Sequence, residues 1–262
     1  MERVKRTAEY TTMLSTIVEI NNNAVGLLQQ NDFQAALDEF VQAITWIRSE
    51  ENTFLGDDQN DVGLPLSTET CLYVTESVPS SDDASCSRPL DTGAGRCHDQ
   101  YDRIFLIVPN DGGEDDEIVE DEPRLPGQNE RRLITCGLLF NIAMCYHRKA
   151  MCTYKLDADS LFQKALQVYN VIPSFCAETS DASARIPPDD SLLIVFLGVW
   201  ANCTYIYSRL HQHRQSLACR ENLRRVFLRI SASSNISKEE YGFFAVNVVT
   251  NQSLCLKLAP AA

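Results

Sequence analysis

The four histidines and ten cysteines of this 262-residue chain are the side chains best suited to bind a metal or act as a nucleophile. His211 and His213 flank Gln212. A two-residue spacing can chelate, but catalytic zinc takes three protein ligands, and no third is evident in the sequence. Cys145 and His147 suggest a thiol with its base, yet residues two apart on one helix point to different sides. Cys97-His98 falls in a polar stretch with nothing to preorganise it. There is no CxxC pair, P-loop, GxGxxG, HExxH or GxSxG. Cys136, Cys145, Cys203 and Cys219 lie in expected helices, where cysteine serves as a small buried hydrophobe. The chain therefore reads as a non-enzyme without metal or cofactor. The alternative is a thiol- or metal-dependent enzyme using His98, His147 or the His211/His213 pair with scattered cysteines.

A second set of polar side chains is suited to bonding rather than reaction. Asn22, Asn141 and Asn202 fall at corresponding places in three stretches of helical periodicity. In the first stretch the residues run Ile20, Ala24, Leu27, Asp32-Phe33, Ala36, Phe40, Ala43-Ile44. Spacings of three, four and seven put these on one helical face. Two helices approach to roughly 8–10 Å only where small side chains meet. Ala24, Ala36 and Ala43 provide that space, Leu27 and Phe40 fill the room beside it, and Asn31-Asp32 suits a tight turn and a helix N-cap. The second stretch holds Leu139-Phe140-Asn141-Ile142-Ala143 and Tyr146, then Ala158, Phe162, Ala165-Leu166 and Tyr169. Ala158 comes three residues late, which predicts a longer turn around Met151–Asp157. The third holds Trp200, Asn202, Thr204 and Tyr207, then Ser216, Arg220 and Leu223.

This pattern resembles the tetratricopeptide (TPR) repeat, a stacking helical hairpin of about 34 residues. The match departs at Asn23, Asn31 and Arg220, where the family usually has leucine, glycine and an aromatic. The divergent repeats, the insert and the Leu258–Ala262 ending are most similar to small TPR-like proteins of unicellular algae. The resemblance implies a mainly α, TPR-like α-α superhelix that binds a peptide or a partner's helix along the first helices of its hairpins. Carried over residue by residue, the implied groove holds Asn22, Val25 and Gln29, then Asn141, Met144, His147 and Arg148, then Asn202, Tyr205, Ser208 and Arg209. Asparagine offers donor and acceptor to a peptide main chain, and arginine a fork to a carboxylate. Bracing of neighbouring helices is the other use open to these asparagines. The family's carboxylate-clamp places hold Val18, Asn21, Val25, Gly198 and Ala201 with no lysine, which argues against that branch.

Along the chain these readings give repeat 1 over 7–50 and an insert over 51–131. Repeat 2 follows over 132–172, a linker over 173–188, repeat 3 over 189–230 and a C-terminal helix or strand cap over 231–262. The insert carries two strand-like stretches, Cys71–Val78 and Tyr101–Val108, read as a small β-hairpin with a long, poorly ordered tip, a fully disordered insert being the alternative. Asp111–Glu122 holds eight acidic residues and reads as a solvated loop. Ser237 and Glu240 form a capping box, and the alternation Phe244, Val246, Val248, Thr250 suits a strand. A net charge of −13 argues against nucleic acid or an anionic membrane as partner. Leu192–Tyr207 reads as a buried helix, and no export signal is visible, so a cytoplasmic or nuclear site is expected. The expected partner is a protein or peptide.

Overall fold

Periodic apolar residues broken by short polar turns become seven helices in the computed structural model, which describes residues 2–54, 73–79, 100–109, 128–177, 190–230 and 236–258. In chain order they are α1 (Glu2–Gln29), α2 (Phe33–Phe54), β1 (Tyr73–Pro79), β2 (Arg103–Pro109), α3 (Gln128–Cys152), α4 (Lys155–Ala177), α5 (Asp190–Arg209), α6 (His213–Phe227) and α7 (Lys238–Leu258). β1 and β2 are neighbours in a two-stranded sheet. The acidic run, Cys97-His98 and most of the linker lie outside the described residues. Two units are distinguished: 1–81 with 104–145, and 82–103 with 146–262.

In the first unit α1 packs against α2. Ala24, Ala36 and Ala43 are fully buried, as a close helix crossing requires. Leu28, rather than the half-buried Leu27, joins Phe40 in filling the space beside them. Asp32 caps α2 by accepting the Ala35 N–H at 3.2 Å. Asn31 has φ 63°, the left-handed conformation for which glycine is the easiest residue.

In the second unit α5 packs against α6, α4 and α7. The α5–α6 turn repeats the α1–α2 turn: His211 has φ 57°, and its N–H bonds the Ser208 carbonyl as that of Asn31 bonds Leu28. The next amides, Gln212 and Asp32, reach back to Tyr207 and Leu27. These are the paired bonds of a Schellman ending. Ser216 is buried where the first hairpin has Ala36, and the same offset relates Asn202 to Asn22.

Three expectations are corrected. The longer turn near Met151 is absent: α3 runs on to Cys152 and leaves only Thr153 and Tyr154 before α4, so the extra residues are absorbed as helix. The linker begins later than Pro173, because α4 continues through that residue to Ala177. Near the helix end Pro173 forfeits one main-chain bond, while the neighbouring Ile172 and Tyr169 remain fully buried. The alternation from Phe244 to Thr250, which suits a strand although the cap is open to either form, is part of a helix, α7. Glu240, Phe244, Asn247 and Val248 are buried while Val246 and Val249 are exposed, which is a helical stripe and not an alternation. The Ser237–Glu240 capping box starts it: the Glu240 N–H donates to Ser237 Oγ at 3.2 Å, and the Ser237 N–H donates to Glu240 Oε2 at 3.3 Å.

Candidate functional site: asparagines around an extended segment

In a strand, the main-chain amides of residues i and i+2 face the same edge. In β2 the amides of Phe105 and Ile107 share such an edge, and asparagine side chains bond it. Asn141 on α3 accepts the Phe105 N–H at 2.9 Å and donates to the Phe105 carbonyl at 2.8 Å. Asn22 on α1 does the same for Ile107, at 3.0 and 2.9 Å. A carboxamide carries the donor and acceptor of a peptide group, so each asparagine takes the place of a residue in a neighbouring strand. Asn21 ties the two together: its Nδ2 donates to Asn22 Oδ1 and to the Phe105 carbonyl, and its Oδ1 accepts from Asn141. Asn21 and Asn141 are fully buried, and every amide hydrogen of both is used. Such a closed network is the form in which buried polar groups stabilise rather than penalise a fold. The side chains of Phe105 and Ile107 are also fully buried, Phe105 meeting Phe140 edge-on with ring centroids 4.7 Å apart.

The second unit treats Tyr101–Arg103 in a related way. Asn202 on α5 accepts the Tyr101 N–H at 3.0 Å and donates to the Tyr169 hydroxyl at 3.1 Å. The Tyr101 hydroxyl donates to Glu240 at 2.8 Å, and its ring packs on Phe243 and Phe244. Arg103 forms ion pairs with Glu239 and Glu240 at 3.5 and 3.7 Å. Arg148 donates to Asp102 at 3.3 Å.

Thus Asn22, Asn141 and Asn202 each bond the main chain of the 101–107 stretch. The remaining expected groove residues fall in different surroundings. Val25, Met144 and Tyr205 are buried, and Gln29 is half-buried. Ser208 shares a hydrogen bond with Ser216 at 2.9 Å. Arg148 and Arg209 are unlike: the first is buried against Asp102, the second exposed at the end of α5. Asn21, Tyr101, Phe105 and Ile107 were missed as site residues. The available signal was the asparagine run Asn21-Asn22-Asn23, of which Asn21 and Asn22 bond this segment.

His147 is fully buried, and neither ring nitrogen has a hydrogen-bond partner. Tyr205, Phe162 and Tyr169 surround it with centroids 5.4, 5.7 and 6.4 Å away. Burial, with help from the Arg148 charge, lowers its pKa to about 3, so the imidazole is neutral near pH 7. Burial first, and Cys219 beside it second, push the Cys203 thiol up and disfavour the thiolate that nucleophilic chemistry needs. Cys136, Cys145, Cys203 and Cys219 are all buried. His211 and His213 are exposed with centroids 6.5 Å apart. Among the described residues no group of three or more His, Cys, Asp or Glu is placed to hold a metal ion.

The chain is a mainly α-helical, multi-helix protein. The single stretch long and apolar enough to cross a membrane among the described residues is Leu192–Arg209 in α5, and 78% of it is buried within the fold. No protein-family model, curated protein or solved structure matches the chain.

Proposed function

We propose that this protein is an interaction scaffold or adaptor built from TPR-like helical hairpins, binding a protein or peptide partner along the first helices, and that it is not an enzyme. The observation that carries the reading is the two-point bonding of Phe105 by Asn141, repeated for Ile107 by Asn22. First-helix asparagines that satisfy both the donor and the acceptor of an extended main chain are equipped for peptide recognition of the strand-addition kind. The matched turns at Asn31 and His211, and the buried small residues Ala36, Ser216 and Ala165, support the hairpin-repeat part of the reading. The acidic balance of the chain favours a protein partner over nucleic acid or an anionic membrane in the cytoplasm or nucleus.

Affinity capture from the native cell with cross-linking and mass spectrometry tests it. Partners recovered by the wild type should cross-link to the first helices. Gln29→Glu with Arg209→Glu, changes at the C-terminal ends of α1 and α5, should reduce their recovery at least tenfold. Undiminished recovery, with cross-links confined to α2, α4 and α6, overturns the assignment to first helices.

A further inference from the structure

We infer that Ile104–Pro109 is an internal ligand: it fills a slot on α1 and α3 that takes an extended peptide with large apolar side chains at alternate positions, and it must leave before such a peptide enters. The inference rests on the proposed peptide-binding role and adds the ligand class and the gate. Three observations point the same way. The bonds to the segment run from Asn21, Asn22 and Asn141 to main-chain atoms, so they read an extended backbone and not a particular sequence. Selectivity is left to the side chains: Phe105 and Ile107, two residues apart, are fully buried, as is Ile104 beside them. The contact is also remote in sequence, 84 or 85 residues from the α1 asparagines and 36 from Asn141, so neither helix needs this segment as a local turn.

The slot's occupant is defined by chemistry that a separate chain can reproduce. A second peptide offering N–H and C=O at the same two positions, with an aromatic and a β-branched side chain two residues apart, meets the asparagine groups of α1 and α3 that the segment now satisfies. Covalent attachment gives the internal segment a high effective concentration. A competing peptide therefore sees an affinity reduced by the fraction of molecules with the slot empty. Weakening the internal segment should restore that affinity without touching the asparagines.

The probe is a fluorescein-labelled synthetic peptide of residues 102–109 with a dilysine tail for solubility, titrated by anisotropy into the full chain. The proteins are the wild type, Ile107→Ala and Phe105→Ala. Each variant removes buried apolar volume from the internal segment but keeps its main-chain groups. Far-UV circular dichroism and a cooperative thermal transition verify that each is folded, and either variant suffices. We expect binding at least tenfold tighter to the variants than to the wild type, lost again when Asn22→Ala is added. Equal binding by wild type and folded variants overturns the gate while leaving the peptide-binding role standing. No binding by any folded variant overturns both the gate and the reading of the slot as a peptide site. Binding that survives Asn22→Ala places the peptide elsewhere and overturns the inference.

Discussion

Replacing Asn141 by leucine keeps the branched side-chain shape, at a larger volume, and deletes three hydrogen bonds, to Phe105 N, Phe105 O and Asn21 Oδ1. The Phe105 carbonyl retains the Asn21 amide at 3.2 Å, so two buried groups lose their partner: the Phe105 N–H and Asn21 Oδ1. Each unsatisfied buried group costs about 1–3 kcal/mol. Leucine's better helix propensity offsets roughly 0.5 kcal/mol. Asn141→Leu should therefore destabilise by about 2–5 kcal/mol, read as a lower urea midpoint. The Phe105 amide should lose its slow hydrogen exchange at the same time. Asn141→Asp supplies the sign test. Aspartate keeps an acceptor for Phe105 N–H but presents oxygen to the Phe105 carbonyl and Asn21 Oδ1, now 2.8 and 3.0 Å from a donor. A proton on the new carboxyl restores one donor, so its folded pKa must rise above the unfolded value of about 3.9. The folded state then binds more protons, and the deficit of Asn141→Asp relative to wild type at each pH should shrink as pH falls from 8 to 5. An Asn141→Leu midpoint within experimental error of wild type would refute the network, as would an Asn141→Asp deficit that grows on acidification.

The remaining predictions concern the supports of this site. Ala36→Leu or Ala165→Leu should cost about 1–3 kcal/mol by overpacking, since both alanines are fully buried; unchanged denaturant midpoints would remove them from helix crossings. His147 has a folded pKa of about 3 against an unfolded value near 6.5, so the unfolded state takes up the proton first as pH falls. Its contribution is complete above pH 6.5 and declines below it, by about 2 kcal/mol between pH 7.5 and 5. His147→Phe should flatten the pH dependence of the thermal midpoint by that amount, and an unaltered profile would contradict a neutral buried imidazole. His211→Gly should stabilise the α5–α6 turn by about 1 kcal/mol, because the residue stands at φ 57°; a lower midpoint would mean that the imidazole makes a compensating contact. Tyr101→Phe removes a hydrogen bond to a buried carboxylate and should cost about 1.5–3 kcal/mol, measured by chemical denaturation.

Much of the helical framework was legible because its causes are local. Alanines at helical spacing mark where two helices meet, Asp32 marks a helix start, and Ser237 with Glu240 marks another; each rests on residues within a few positions of one another. The same locality misled at α7, where Phe244, Val246 and Val248 satisfy a period of two as well as part of a helical stripe. Packing of Phe243 and Phe244 against Tyr101, more than a hundred residues away, goes with the helical outcome. The asparagines show the division most clearly. Their type and register announced a capacity to bond a peptide main chain, which is a property of the carboxamide itself. Which main chain they would bond depended on a pairing across 36 to 101 residues, and no short-range pattern encodes that. Tertiary structure decided it by bringing the chain's own extended segment to their amides, because buried N–H and C=O groups must find partners wherever the fold places them.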